Sequence, residues 1–272
     1  PVTTLVPVNL VQVKKLMVNI EARLLAHESG FVQGEIFSEV PNIRFLKALH
    51  QDAAMVVSKA RHVGWLGNVL HRYCEIESGR VYAEGVGNLQ NCYRVLREAA
   101  MAGLYDIDIE NCHYSILAQM AAAQGYPCTE INDYLRRANK KKVRESLAAE
   151  FGISVRQAKD ALIALIYGAK FSGRAEDALP IIFNSTQLAK KIYLHPKFLA
   201  LRDDISGARE VVLKAQEVSR RTIKNCRGLT IRLDDSNERQ QLAHLLQGVE
   251  VTALEAAYRL YPKEIVLLQH DG

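Results

Sequence analysis

The residues best suited to chemistry sit at two acidic tips and on one basic helix. Asp108 lies near the end of the alternating run Tyr105-Asp-Ile-Asp-Ile109, and Asp271 near the end of the apolar run that begins at Glu264. The pleat of a strand would put Asp106 and Asp108 on one face and Ile107 and Ile109 on the other. Two carboxylates at neighbouring strand ends can hold divalent ions that bridge an attacking hydroxyl and a phosphate, the requirement of nucleotidyl transfer. Taken singly, an aspartate at a strand end also serves as a turn or cap residue.

The basic helix is predicted from Ser154, a suitable N-cap, to Tyr167, with Gly168 ending it. Arg156, Lys159, Ile163 and Tyr167 follow at i, i+3, i+7 and i+11 and so share a face. A rise of 1.5 Å per residue separates Lys159 from Tyr167 by about 12 Å, the reach of a nucleoside triphosphate. Cations there would take phosphates and the ring would stack on a base or sugar, although an exposed basic edge with a half-buried tyrosine fits the same pattern. Arg239, Ala243 and Gln247 form a third set at i, i+4 and i+8, suited to a nucleic-acid duplex or to an ordinary polar surface. The run Lys140-Lys-Lys142 reads equally as a solvated helix face or a phosphate contact.

The elements that must position these groups follow from periodicity. Residues 1–79 read as helical, with Val13, Leu16, Met17, Ile20 and Leu24 at three- and four-residue steps and a second stretch from Asn42 to about Val63. Glu77-Ser-Gly-Arg80 and Glu84-Gly-Val-Gly-Asn88 break the pattern. Strands are predicted at Tyr105–Ile109, Leu229–Leu233 and Glu264–Gly272. Helices are predicted at 114–123, 130–151, 154–167, 177–200 and 206–219, and after the caps Asp234-Asp-Ser-Asn237. The fold class is therefore α+β and predominantly helical.

Composition narrows the setting. With 272 residues, 49% of them hydrophobic, the chain can bury a proper core, and 35 basic against 30 acidic residues give a mild net charge of +5. Five scattered cysteines without a CxxC pair indicate reduced thiols and neither a disulfide framework nor a zinc site. No apolar run approaches the roughly 20 residues that span a bilayer, and PVTTLVPVNL is unlike a signal peptide, so no membrane is expected and the expected location is cytoplasmic.

In order along the chain, these segments resemble the palm and fingers of family A DNA polymerases, the DNA polymerase I family. Gly79-Arg80 with Asn88-Leu-Gln-Asn91 is similar to that family's Gly-Arg…Asn-Leu-Gln-Asn segment, and Asp108-Ile-Glu-Asn-Cys-His-Tyr-Ser-Ile-Leu-Ala118 aligns without a gap on motif A. Arg156-Gln-Ala-Lys159 through Tyr167-Gly168 to Gly173 resembles motif B, Arg239 with Gln247-Gly248 the Arg…Gln-Gly helix, and Leu267-Leu-Gln-His-Asp271 motif C. The likeness spans residues 79–272; residues 1–78 are read only as a helical, thumb-like element.

The resemblance implies a right-hand polymerase palm, a small antiparallel sheet, with helical fingers. Residues 79–123 would be the first part of the palm, 124–200 the fingers and 201–272 the second part. It implies two Mg²⁺ ions, with Mn²⁺ as a substitute, held by Asp108, Asp271 and the backbone carbonyl of Ile109. Arg156, Lys159, Tyr167 and His113 would bind the incoming nucleoside triphosphate, and Arg80, Asn88, Gln90, Asn91, Arg239, Gln247 and His270 a DNA primer-template, RNA templates remaining open.

Some positions depart from the family. His113 stands where motif A has a glutamate that screens out the ribose 2′-hydroxyl, and Val155 where motif B has its first arginine, leaving Arg156 a residue closer to Lys159. Ile163, Ala243 and Gly272 replace an aromatic or methionine, an asparagine and an acidic residue. Gly79-Arg-Val-Tyr-Ala83 also resembles single-subunit phage-type RNA polymerases, so a transcribing or primase-like enzyme is the alternative, and a silent nucleic-acid-binding scaffold a third reading. The start at Pro1 and the stop one residue after Asp271 lead to the expectation of a part of a longer polypeptide, and the resemblance implies replication partners and a prokaryotic or phage-type host cytoplasm, with an organelle as alternative.

Overall fold

The computed structural model describes residues 2–28, 42–63, 66–76 and 79–268. It is mostly helical with small antiparallel sheets, and it forms two compact units: residues 1–76, 80–108 and 254–272, and residues 77–79 and 109–253.

The first unit is built on a sheet. Strand β1 (Thr3–Asn9) leads into helix α1 (Leu10–Glu28), and helix α2 (Ile43–Lys59) into β2 (Arg61–Val63) and β3 (Leu66–Glu75), before β4 (Val81–Ala83) and α3 (Arg94–Ala100). β1 lies antiparallel along β3, from Thr3 opposite Arg72 to Asn9 opposite Leu66, while β2 and β4 pair with opposite ends of β3. Thr4, Val6 and Val8 point inward and Leu5 outward, the period-2 pattern of a strand with one wet face. Pro7 is tolerated because β1 is an edge strand. Gly67 is required: a Cβ there would lie 2.7 Å from that of Ala60. Leu10, Val13 and Ile20 of α1 pack with Leu46, Leu49, Ala53 and Val56 of α2 over Val6, Val8 and Val69.

The wholly helical expectation for residues 1–79 is thus corrected. The helical spacing holds for 10–28 and 43–59, whereas 3–9 and 66–75 alternate and pair with each other.

Within that core, His71 of β3 is buried, and its Nε2 accepts the amide of Leu89 at 3.0 Å. Desolvation, and secondarily Lys59, push its pKa down to about 4, so the ring is neutral.

Two predicted strands need correction. Residues 105–109 form no ladder, and Tyr105 and Ile107 are almost fully exposed. Alternation marks a strand only where a neighbour supplies hydrogen bonds, and none does here among the described residues. Residues 265–268 are also irregular. They are nonetheless anchored, because the Leu268 amide donates to the Tyr73 hydroxyl at 3.2 Å and its side chain packs with Tyr73 and Ala83. Residues 269–272, with His270 and Asp271, lie outside the described residues.

The second unit is helical: α4 (Cys112–Ala122), α5 (Thr129–Leu135), α6 (Arg137–Phe151), α7 (Val155–Ile166), α8 (Ala178–Phe183), α9 (Thr186–Tyr193) and α10 (Pro196–Lys214), then the hairpin β5 (Thr222–Lys224) and β6 (Thr230–Arg232), then α11 (Glu238–Leu260), of which residues up to Ala253 belong here. Its core joins Tyr114 and Leu117 of α4, Ile131 of α5, Leu162 and Leu165 of α7, Phe198 and Ile205 of α10, and Leu242 and Leu245 of α11. α7 forms where its signals stand. Ser154 and Gln157 close a capping box, the Gln157 amide donating to Ser154 Oγ at 3.1 Å and the Ser154 amide to Gln157 Oε1 at 3.0 Å. Gln157 Nε2 also donates to the Ile182 carbonyl of α8 at 3.0 Å.

Helices predicted as single runs are divided. Arg136 turns extended between α5 and α6. Asn184, at φ 52°, ends α8, and Pro196 begins α10 at its first turn, where a missing amide costs nothing. The helix expected at 206–219 is the second half of α10, which stops at Lys214. Among the described residues no helix is long and apolar enough to cross a membrane.

Candidate functional site

In the second unit three distant segments converge on one histidine. Its position starts with Asn111, which caps α4 in the left-handed conformation at φ 50° and accepts a hydrogen bond from Arg144 at 3.0 Å. Arg144 also donates to the Tyr134 hydroxyl at 2.9 Å, and Lys140 of α6, a buried lysine, pairs with Glu110. One residue past His113, the fully buried Tyr114 donates its hydroxyl to the Leu162 carbonyl of α7 at 2.6 Å. Burial raises the Tyr114 pKa well above the ordinary phenol value, which keeps that donor protonated. α4 and α7 are thereby held in register, and His113 meets the last residue of the α7 turn: its Nδ1 is 2.6 Å from the Tyr167 hydroxyl, with the rings edge to face.

On its other side the ring faces Glu250, whose Oε2 lies 3.4 Å from Nε2. α11 delivers this carboxylate because it is docked on the β5–β6 hairpin. His244 Nε2 lies 3.0 Å from the Leu229 carbonyl and therefore donates to it, and Asn225 Oδ1 accepts the amides of Arg227 and Leu229 at 3.0 and 3.2 Å. The Asn225 side chain lies where a side chain at 248 would be, so Gly248 serves this close approach. Glu250 is nearly fully buried, and an ionised carboxylate can only accept. The ring nitrogens of His113 thus face two oxygen partners, the Glu250 carboxylate at Nε2 and the Tyr167 hydroxyl at Nδ1. Cys112 completes the cluster, its Sγ within 4.8 Å of the ligand atoms of His113 and Glu250.

Around this cluster stand other sequence-predicted residues. Arg156, Lys159 and Ile163 lie on the exposed face of α7, opposite the buried Ala158, Ala161, Leu162 and Leu165. Arg156 pairs only loosely with Asp160, at 3.9 Å. The stem of Arg239 lies against Gly168, whose φ of 72° ends α7; a Cβ there would come within 2.8 Å of it. Gln247 is half-buried.

In the first unit the predicted residues are engaged differently. Gln90 Oε1 accepts the Ala83 amide at 2.6 Å, and its Nε2 donates to the carbonyls of Val81 and Leu268, each at 2.9 Å. Asn88 donates to the carbonyls of Ala83 and Gly85 and accepts the Asn91 amide at 2.9 Å. Both are buried, as is Arg80, while Asn91 is exposed. Asp108, the last residue of this stretch of the first unit, is exposed; in the second unit the Ile109 carbonyl accepts the Cys112 amide at 3.1 Å.

Sequence reasoning gave no role to Glu250 or Cys112. The signal for Glu250 was present: a carboxylate between Val249 and Val251, three residues after Gln247, on a helix that buries its neighbours.

No family model matches the chain. Over 92 residues, 34% of this chain, it is 33% identical to a protein of Sputnik virophage described as "Putative helicase V13". The matched stretch spans 12% of that protein's length.

Proposed function

We propose that the chain is the palm and fingers of a template-directed DNA polymerase of the family A kind, adding nucleotides to a primer 3′-hydroxyl. The observation that carries this reading is the 2.6 Å contact between His113 and Tyr167, which come from separate motifs 54 residues apart. A nucleotide site needs such convergence, because sugar, base and phosphates are met by different segments. Beside it, the exposed face of α7 offers Lys159 and Arg156 to a triphosphate. Tyr167 and His113 shape the sugar and base end, with Glu250 against the far side of the ring. Arg239, Gln247, Arg80 and Asn91 meet the duplex, while Asn88 and Gln90 serve it through the segment they hold.

The donor set of Asp108, the Ile109 carbonyl and Asp271 is all hard oxygen and suits Mg²⁺ or Mn²⁺. Ions bound there would neutralise charge at the attacking hydroxyl and the phosphates. The right-hand arrangement and a cytoplasmic setting belong to the same proposal. The virophage protein's name refers to a helicase; a stretch in common with a protein named for unwinding supports nucleic acid as the partner class.

The test is primer extension with Asp108→Ala and Asp271→Ala. Either substitution abolishes metal-dependent incorporation while leaving primer-template binding within about threefold. Retained synthesis in either variant ends the assignment.

A further inference from the structure

We propose that Cys112, His113 and Glu250 form a binding site for one borderline-soft divalent cation of the zinc type, distinct from any Mg²⁺ held by oxygen donors. This does not depend on the polymerase reading. A thiol, an imidazole and a carboxylate lie with their ligand atoms within 4.8 Å of one another, in one compact unit, His113 and Glu250 buried and Cys112 half-buried. Three such protein ligands leave a fourth position open in a tetrahedral Zn²⁺ site, and a hard ion would reject the sulfur. Each ligand is already held. The α4 cap and Tyr114 fix Cys112 and His113, and the Asn225–Gly248 contact fixes α11 beneath Glu250.

The remaining contact of the ring is also the one a metal site needs. A histidine that gives one nitrogen to a metal usually donates its other N–H to a fixed acceptor, and the Tyr167 oxygen stands 2.6 Å from Nδ1. With Nε2 given to the cation, the ring N–H lies on Nδ1, so that the ring donates and the tyrosine oxygen accepts. Cys112 binds as a thiolate, releasing one proton to solvent per ion. The hydroxyl proton of Tyr167 is then turned away from His113, which couples occupancy of the cation site to the ring at the end of α7.

Cobalt(II) reports thiolate ligation directly. Titrating the full chain with Co²⁺ should give one equivalent bound, a thiolate-to-cobalt charge-transfer absorption, release of about one proton, and displacement of the colour by Zn²⁺. Cys112→Ala should abolish the absorption and weaken Zn²⁺ about 100-fold or more, and Glu250→Gln should weaken it about 10- to 100-fold. Cys74→Ala, at an exposed cysteine of the first unit, should change neither. Circular dichroism and thermal melts confirm that each variant is folded, and Cys112→Ala, at a half-buried position, stands in if Glu250→Gln is not. The proposal is overturned if the unaltered chain takes up no stoichiometric Co²⁺, or if Cys112→Ala keeps the charge-transfer band.

Discussion

Two regions carry polar residues that the sequence marks for nucleic acid, and they use them in opposite ways. On α7 the backbone satisfies itself through the helix, and Ser154 and Gln157 close its first turn. Arg156 and Lys159 are therefore left facing outward. Between β4 and α3 the chain is irregular, and its amides and carbonyls need partners from side chains. Asn88 and Gln90 supply them and are buried in doing so. An amide beside a predicted site thus reads differently according to whether its neighbours' backbone is self-sufficient.

The sharpest way to break this contrast is through Lys159→Ala. Removing an outward cation should reduce incorporation about 100- to 1,000-fold while leaving the thermal midpoint unchanged. Steady-state kinetics beside a melt measures both; an equal loss of stability would mean that Lys159 supports the fold as Gln90 does.

The inner region predicts a pH dependence from His71. Its folded pKa of about 4 lies below the ordinary 6.5, so between those values the unfolded chain holds more protons and stability rises with pH. The contribution is fully present above pH 6.5 and is lost as pH falls to about 4, to the extent of about 3 kcal/mol. Urea unfolding at pH 7 and 4.5 reads it, and His71→Gln should remove that share of the slope.

Smaller again is Gln90→Ala, which breaks the three buried hydrogen bonds that Gln90 makes to the Ala83 amide and to the carbonyls of Val81 and Leu268. It should cost about 2 kcal/mol and shift the urea midpoint without changing the slope. A destabilisation below about 0.5 kcal/mol, with weakened DNA binding, would return Gln90 to the duplex.

How much was legible depended on how local the signal was. α7 could be read because Ser154, the apolar spacing and Gly168 all lie within the segment they define. The outward set at 156, 159 and 163 followed from the same period, whereas Tyr167 is half-buried against His113. The sheet of the first unit could not be read so easily, since β1 and β3 are some 60 residues apart in sequence and each is validated only by the other. Conversely, Tyr105–Ile109 alternates well but lacks a partner strand. The His113–Tyr167 pair was legible as two separate candidates; Glu250 was legible as a carboxylate on a burying helix face, but its meeting with His113 was not, because its place is set by Asn225 packing where a side chain at 248 would be, a contact no spacing rule encodes.

Gln157 has a mechanical consequence. One side chain closes the first turn of α7 and also holds the Ile182 carbonyl of α8. The two helices therefore share a hinge pin: α7 cannot tilt its lysine face toward a ligand by pivoting at Ser154 unless α8 travels with it or that bond is given up. Any gate made from this region swings as a two-helix leaf.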